Sequence, residues 1–309
     1  MITIYKSQES GLITLTEPTH GSWINAVSPT PEEITWLESL NIPQDYITYP
    51  LDLDERPRTE RENGELLIVL RIPVFQGHDV DVPYTTIPLG IILNGQYVVT
   101  ICKMGNDIVQ EFTTGRVRSL ATGKRNRFVL RILLNTANRF LIYLREINKV
   151  VDALEDQLQR STRNKEVLAL LKYQKSLTYF TTALKANELM MERLHRSQFF
   201  RTYPDDEDLL EDVITENQQA IEMTNISSNI LSSMMDAFAS IISNNLNAVM
   251  KFLASVTIVL SVPTMIASFF GMNVHIPMED QPVAFLAIIL MSVATSLFIA
   301  YIFVKRDWF

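Results

Sequence analysis

The sequence predicts an α+β membrane protein: a charged, mixed α/β part, then long helices, then two C-terminal transmembrane spans. Three observations carry this. Residues 252–270 and 283–304 contain no charged side chain, and each run is close to the ~20 apolar residues that cross a hydrocarbon core as a helix. Residues 1–250 are dense in Asp, Glu, Lys and Arg and are unfit to cross a bilayer. Near residue 126 the apolar spacing changes from strand-like alternation to a helical period.

Residues 1–125 read as one α/β domain. Alternating or β-branched runs at 2–5, 12–15, 22–27, 66–72, 86–93 and 97–102 predict strands, separated by Gly, Pro, Asn and Asp. Thr30-Pro31-Glu32-Glu33 ahead of Ile34, Leu37 and Leu40 predicts a capped helix start. Asn94-Gly95 between two apolar runs signals a hairpin. Cys102, the one cysteine, excludes an intramolecular disulfide or a cysteine zinc cage. It reads as a small buried hydrophobe in a strand.

Residues 126–204 predict a helical hairpin, with helices over 128–158 and 165–195. After Tyr203-Pro204, Asp205, Asp206, Glu207 and Asp208 load acid into the first turn of the next helix, as the helix dipole favours. Residues 209–270 hold one proline, Pro263, and no glycine, which predicts one continuous helix. Some 60 residues would reach roughly 90 Å. Alone, such a rod would leave its apolar stripe wet, so a homo-oligomer in contact with membrane lipid is expected. The helix divides into a cytoplasmic part, 205–250, and a first span, 251–270. An external loop, 271–282, a second span, 283–304, and a cytoplasmic tail, 305–309, complete the chain.

Lys251, Lys305 and Arg306 flank the outer ends of the hairpin, while the loop has no Lys or Arg and carries Glu279 and Asp280. The positive-inside rule then puts both termini in the cytoplasm. The N-terminus lacks the layout of a signal peptide, which keeps the soluble part there as well. A net charge of −8 argues against a nucleic-acid partner.

One face of the long helix is small or polar. Steps of four and three from Asp236 meet Ser240, Ser243, Asn247, Met250, Ala254, Thr257, Ser261, Thr264 and Ser268. A 3.5-residue period suits helices wrapped around an axis. Two readings stand: close helix packing through small residues, or a water-accessible lumen with one such face from each subunit. Asp236 and Asn247 favour the lumen, because a ring of Asp suits a cation pathway.

Phe270-Gly271-Met272-Asn273, in the loop between the two spans, resembles the Gly-Met-Asn signature of the CorA family of divalent-cation channels. The upstream segment 243–253 resembles that family's pore-lining run, and Asp54-Glu55-Arg56-Pro57-Arg58 also looks like a family segment. The resemblance is detailed over about residues 230–309 and architectural elsewhere.

It implies a homopentameric channel in the inner (cell) membrane, with a cytoplasmic α/β/α funnel, a long pore helix and an outer helix. It implies Mg2+ as the transported ion and as a regulatory ligand, with Co2+ and Ni2+ as further cargo and no organic cofactor. Gly271, Met272 and Asn273 would form the selectivity loop, with the Asn273 amide facing an ion that keeps its waters. Asp236, Ser243, Asn247, Met250, Leu253, Ala254, Thr257 and Ser261 would line the pore, with Met250 and Leu253 as its hydrophobic constriction. Glu279 and Asp280 would be external acids. Asp212 would hold regulatory Mg2+ together with Asp79 or Asp81 of a neighbour; its alternative role is a solvated first-turn carboxylate. Phe270 stands where the family usually has tyrosine, and Ser261 where it commonly has a bulkier apolar residue.

The related ZntB-type zinc transporters, with or without proton coupling, share the signature. His20, His78, His195 and His275 are scattered, which favours a hard, oxygen-liking ion. A non-transporting membrane-anchored metal sensor is the alternative of another class. No phosphate-binding loop, metal-binding His pair or nucleophile context argues for an enzyme.

Overall fold

Apart from residues 9–10, 63, 116, 118–119, 161–163, 198, 201–203, 273–282, 307 and 309, the computed structural model describes the whole chain. Among these residues the strands are β1 (Ile2–Gln8), β2 (Gly11–Leu15), β3 (Trp23–Val27), β4 (Arg58–Glu62), β5 (Glu65–Phe75), β6 (Tyr84–Leu93) and β7 (Val98–Cys102). They form one sheet in the order β2-β1-β3-β7-β6-β5-β4. Neighbours are antiparallel except β3 and β7, which run parallel.

The helices are α1 (Pro31–Glu38), α2 (Gln44–Thr48), α3 (Asp107–Thr113), α4 (Arg125–Arg160), α5 (Asn164–Arg196), α6 (Pro204–Phe270) and α7 (Ala284–Lys305). Side-chain alternation along the strands feeds two cores. Leu66, Ile68, Leu70 and Ile72 of β5 pack with residues of α3, α4, α5 and α6. Leu67 and Val69 face the other way, towards Leu37 of α1 and Tyr46 and Ile47 of α2. The sheet is therefore sandwiched between helical layers. At its centre, the Trp23 indole donates to Thr100 Oγ1 at 2.8 Å, and that hydroxyl donates to Asn25 Oδ1 at 2.9 Å.

The helix expected after Thr30 starts with a full capping box: Thr30 Oγ1 accepts from the Glu33 N–H and the Glu33 carboxylate accepts from the Thr30 N–H. Between β6 and β7, the turn is closed by Asn94, whose Oδ1 accepts the N–H groups of Gln96 and Tyr97 at 2.9 and 2.7 Å. The asparagine side chain, more than the glycine, makes this turn.

Three elements carry no apolar alternation and were not expected: α2, α3 and β4. The residues of β4, Arg-Thr-Glu-Arg-Glu, are charged or polar throughout. Such a strand suits a sheet edge, where charge discourages pairing with another chain. The long helix begins at Pro204, with Asp205, Asp206 and Glu207 in its first turn. Asp212 therefore lies past the first turn, which corrects its alternative role as a first-turn carboxylate.

The chain divides into two compact units, Met1–Met235 and Asp236–Phe309. Within the first, Gly90 of β6 faces Pro50: a Cβ on Gly90 would lie 2.1 Å from Pro50 Cγ. Gly90→Ala is expected to destabilise the soluble unit by about 1–3 kcal/mol through overpacking, read as a lower midpoint in denaturant unfolding. Cys102 is fully buried, and burial pushes its thiol up to about 12. At pH 8 the native protein should resist thiol-specific reagents, and one thiol per chain should react after denaturation.

Candidate functional site

Among the described residues two helices, over Asp205–Phe270 and Ala284–Lys305, are long and apolar enough to cross a membrane. A core helix of a soluble protein would be mostly buried, whereas only 6% of each apolar window is. Phe252, Leu260, Phe269, Phe285, Leu290, Leu297 and Phe298 are all more than half exposed to the medium around the hairpin. Their natural solvent is lipid.

Two faces of α6 differ sharply. Ser255 is buried, and Val256, Val259, Val262, Pro263 and Ile266 are partly covered. This is the side that meets α7, where Ser296 Oγ reaches Val259 O and where Pro263 and Ser292 line a common cavity. Ala254, Thr257, Ser261, Thr264 and Ser268 are exposed. At about 100° per residue the centres of these two sets lie roughly half a turn apart. The small, polar stripe is thus not the seam that α7 uses. Further up the helix Asp236, Ser240, Ser243, Asn247, Met250 and Leu253 are exposed too.

Four hydroxyls of the stripe donate within the helix. Ser240 Oγ donates to Asp236 O at 3.0 Å, Thr257 Oγ1 to Leu253 O at 2.8 Å, Ser261 Oγ to Thr257 O at 2.7 Å and Thr264 Oγ1 to Leu260 O at 3.3 Å. A hydroxyl has one proton and two lone pairs. With the protons turned inward, the stripe presents acceptors. Such a surface suits a cation whose water shell donates outward, and suits an anion poorly.

At the outer end of α6, the Gly271 N–H donates to Ala267 O at 3.0 Å, and the Met272 N–H to Phe269 O at 3.4 Å. These residues finish the helix, and both are exposed. Asn273, His275, Glu279 and Asp280 lie outside the described residues.

In the first unit, Asp79 and Asp81 sit between β5 and β6, beside α5. Lys175 Nζ donates to Asp81 Oδ2 at 2.7 Å, which holds the Asp81 carboxyl below its usual range. Lys172 reaches the backbone oxygen of Asp79 and leaves its carboxylate exposed. Asp212 is exposed on α6. Among the described residues no three of His, Cys, Asp and Glu come together as a metal-ligand set within one chain. The geometry does not unite Asp212 with Asp79 or Asp81 in a single chain's ligand set; it leaves each with one solvent-facing side.

Several residues that hold this part of α6 escaped the sequence reading. Arg127 of α4 donates to Asp205 Oδ2 and Asp206 Oδ1 at 3.0 and 2.9 Å, pinning the start of α6. Asn217 Nδ2 of α6 donates to Leu184 O of α5 at 3.2 Å, and Gln174 Nε2 of α5 to Ser228 Oγ of α6 at 3.1 Å. Asn187, fully buried on α5, donates to Arg71 O and accepts from Arg71 N at 2.8 and 3.0 Å. It takes over on β5 just beyond Val69, where pairing with β4 ends. The acids of the α6 start were legible as dipole partners; their arginine, 78 residues away, was not.

The profile of the CorA-like Mg2+ transporter protein family matches residues 19–306. The chain is 28% identical over 297 residues to the cobalt/magnesium transport protein CorA of Methanocaldococcus jannaschii, spanning 93% of this chain and 90% of that one. The complete structure of the CorA magnesium transporter from the same organism superposes with a TM-score of 0.86 at 24% identity, covering 100% of this chain and 99% of that chain. The cytoplasmic domain of ZntB from Vibrio parahaemolyticus superposes with a TM-score of 0.62 at 12% identity, covering 78% of this chain and 98% of that chain. The last two likenesses show the fold.

With Cys102 silent, single cysteines report on water access. Cysteines at Ala254, Thr257 and Ser261 should react with a charged, membrane-impermeant thiosulfonate in proteoliposomes. Cysteines at Val256 and Phe269 should not. Equal labelling of both sets would remove the distinction between the two faces.

Proposed function

This chain belongs to the family of CorA-like Mg2+ transporter proteins, and from that premise we propose that it is a homopentameric channel carrying Mg2+ through a pore lined by α6. The observation that carries the reading is the exposed, acceptor-rich stripe of α6 on the side turned away from α7. Packed around an axis, copies of this face would enclose water and leave the apolar sides to lipid and to neighbouring helices.

In this reading residues 1–125 and 126–204 form the cytoplasmic funnel and 205–250 the inner pore. Residues 251–270 and 283–304 are the two spans, 271–282 the outer mouth and 305–309 the tail. Both termini are cytoplasmic. Mg2+ dehydrates reluctantly, so the mouth must accept hydrogen bonds from its waters without stripping them. The carboxamide oxygens of Asn273, following Gly271 and Met272, are suited to this, being neutral and therefore weak enough to release the ion. Glu279 and Asp280 would concentrate cations outside.

Below the mouth, Ser261 and Thr257 offer the acceptors described above, and Ala254 adds a small methyl to the lining. Leu253 and Met250 form the apolar constriction where a closed pore dewets. Asn247, Ser243 and Asp236 receive the ion on the cytoplasmic side.

Cytoplasmic Mg2+ closes the channel by bridging Asp212 to an acid of the adjacent subunit, and its loss lets the like charges part. Of the two candidate partners Asp79 is favoured, because the Asp81 carboxylate is already engaged by Lys175. Co2+ and Ni2+ are further candidate cargo; cobalt appears in the name of the Methanocaldococcus relative.

Mg2+ uptake by proteoliposomes tests the reading. Asn273→Ala should lower uptake by roughly tenfold or more, the equivalent of about 1.4 kcal/mol on the barrier. Uptake equal to wild type would reject the proposed mouth. Zn2+ uptake exceeding that of Mg2+ and driven by a proton gradient would reassign the cargo.

A further inference from the structure

Pro263 stands inside α6. A proline has no N–H, so the carbonyl four residues earlier, that of Val259, loses its helical donor. In hydrocarbon such an acceptor has no water to turn to. The hydroxyl of Ser296, on α7, lies where a substitute donor is needed: its Oγ is 3.4 Å from Val259 O. The same Oγ is 3.0 Å from Ser292 O, one turn earlier on its own helix. One hydroxyl proton is thus shared between two carbonyls, one across the helix pair and one within α7.

The surroundings leave room for movement. Pro263, Ala267, Phe270, Ile288 and Ser292 line a cavity of about 450 Å³ between the two helices. At a proline the helix is already weakened, and open space on one side lets it flex without first displacing packed side chains. The stripe residues Thr257, Ser261 and Thr264 lie on the far side of α6 from this contact.

We propose that Ser296 is a positioning residue for ion passage, setting how far α6 bends at Pro263. When the helices stand close, its proton goes to Val259 O; when they part, it returns to Ser292 O. The hydroxyl touches no ion. It acts through the backbone of α6, and any change of bend moves the stripe relative to the pore axis. This inference rests on the channel reading above.

A double-mutant cycle decides it. In Pro263→Ala the Val259 carbonyl regains a helical N–H donor, so Ser296 is no longer needed there. Ser296→Ala should change Mg2+ flux in proteoliposomes about three- to tenfold in the wild-type background, the rate equivalent of one neutral hydrogen bond. It should leave flux unchanged in the Pro263→Ala background. Ser296→Thr should restore wild-type flux, while Ser296→Val, of the same shape without the hydroxyl, should not. Equal effects of Ser296→Ala in both backgrounds, or equal flux from the Thr and Val variants, would overturn the proposal. Melting temperatures of the same proteins supply a readout independent of transport. If the wild type carries no ion, the channel reading fails, and non-additive melting shifts would still support the Ser296–Val259 contact. Additive shifts would remove it.

Discussion

Inside a bilayer every backbone carbonyl and every hydroxyl must find its partner within the protein, and this constraint shapes α6 and α7. It makes the spans helical. It also decides where side-chain protons go. Ser255 Oγ donates to Lys251 O, Thr257, Ser261 and Thr264 donate to carbonyls one turn back, and Thr295 Oγ1 donates to Met291 O. The same bonds that hide these protons leave oxygen lone pairs facing outward on the exposed stripe. A surface of outward-facing acceptors therefore arises without a single fixed charge in the span, where charge is costly. Pro263 is the one interruption of this bonding in α6, and the nearest hydroxyl on α7 lies beside the carbonyl it strands.

The soluble unit solves a different problem, that of holding a helix whose buried face turns small and polar beyond Leu209, Leu210 and Val213. Ala220, Thr224 and Ser227 of α6 are buried on its inner side. Burying such residues yields little from the hydrophobic effect. Directed hydrogen bonds fill the gap: Asn217 and Gln174 link α5 to α6, and Arg127 fixes the acidic first turn. Asp206 is almost fully buried, so its pairing with Arg127 spares an unpartnered charge.

Much of this was legible in the sequence, and the limits have physical causes. Strands with apolar residues on both faces, such as β5, β6 and β7, declare themselves because each face has a core to fill. The helix after Thr30 declares itself through a local cap. Strand β4 does not, because an edge strand is marked by charge, which also marks loops. The small, polar repeat of α6 was visible as a period, but its direction was not: Ser255 and Thr257 are chemically alike, yet one is buried against α7 and the other exposed. Only the structure separates them. Asn187, Asn217 and Arg127 were invisible for a related reason, since their partners lie far along the chain and no local pattern marks them. The resemblance at Gly271-Met272-Asn273 supplied the family, while Asn273 itself lies outside the described residues.

Asn187 has a mechanical consequence. Its amide occupies both backbone groups of Arg71, as a strand would, so α5 is registered on the sheet to within one hydrogen-bond length. Sliding α5 along the sheet would break both bonds at once. Along the part of α6 that carries Ser228 and Ser232 the link to α5 is polar, and the Gln174 amide can exchange Ser228 Oγ at 3.1 Å for Ser232 Oγ at 3.4 Å at little expense. The unit therefore has one stiff joint and one compliant joint in series. Displacement imposed on α6 beyond Ala220 should be absorbed as slip against α5, while the sheet and α5 travel together as a single body.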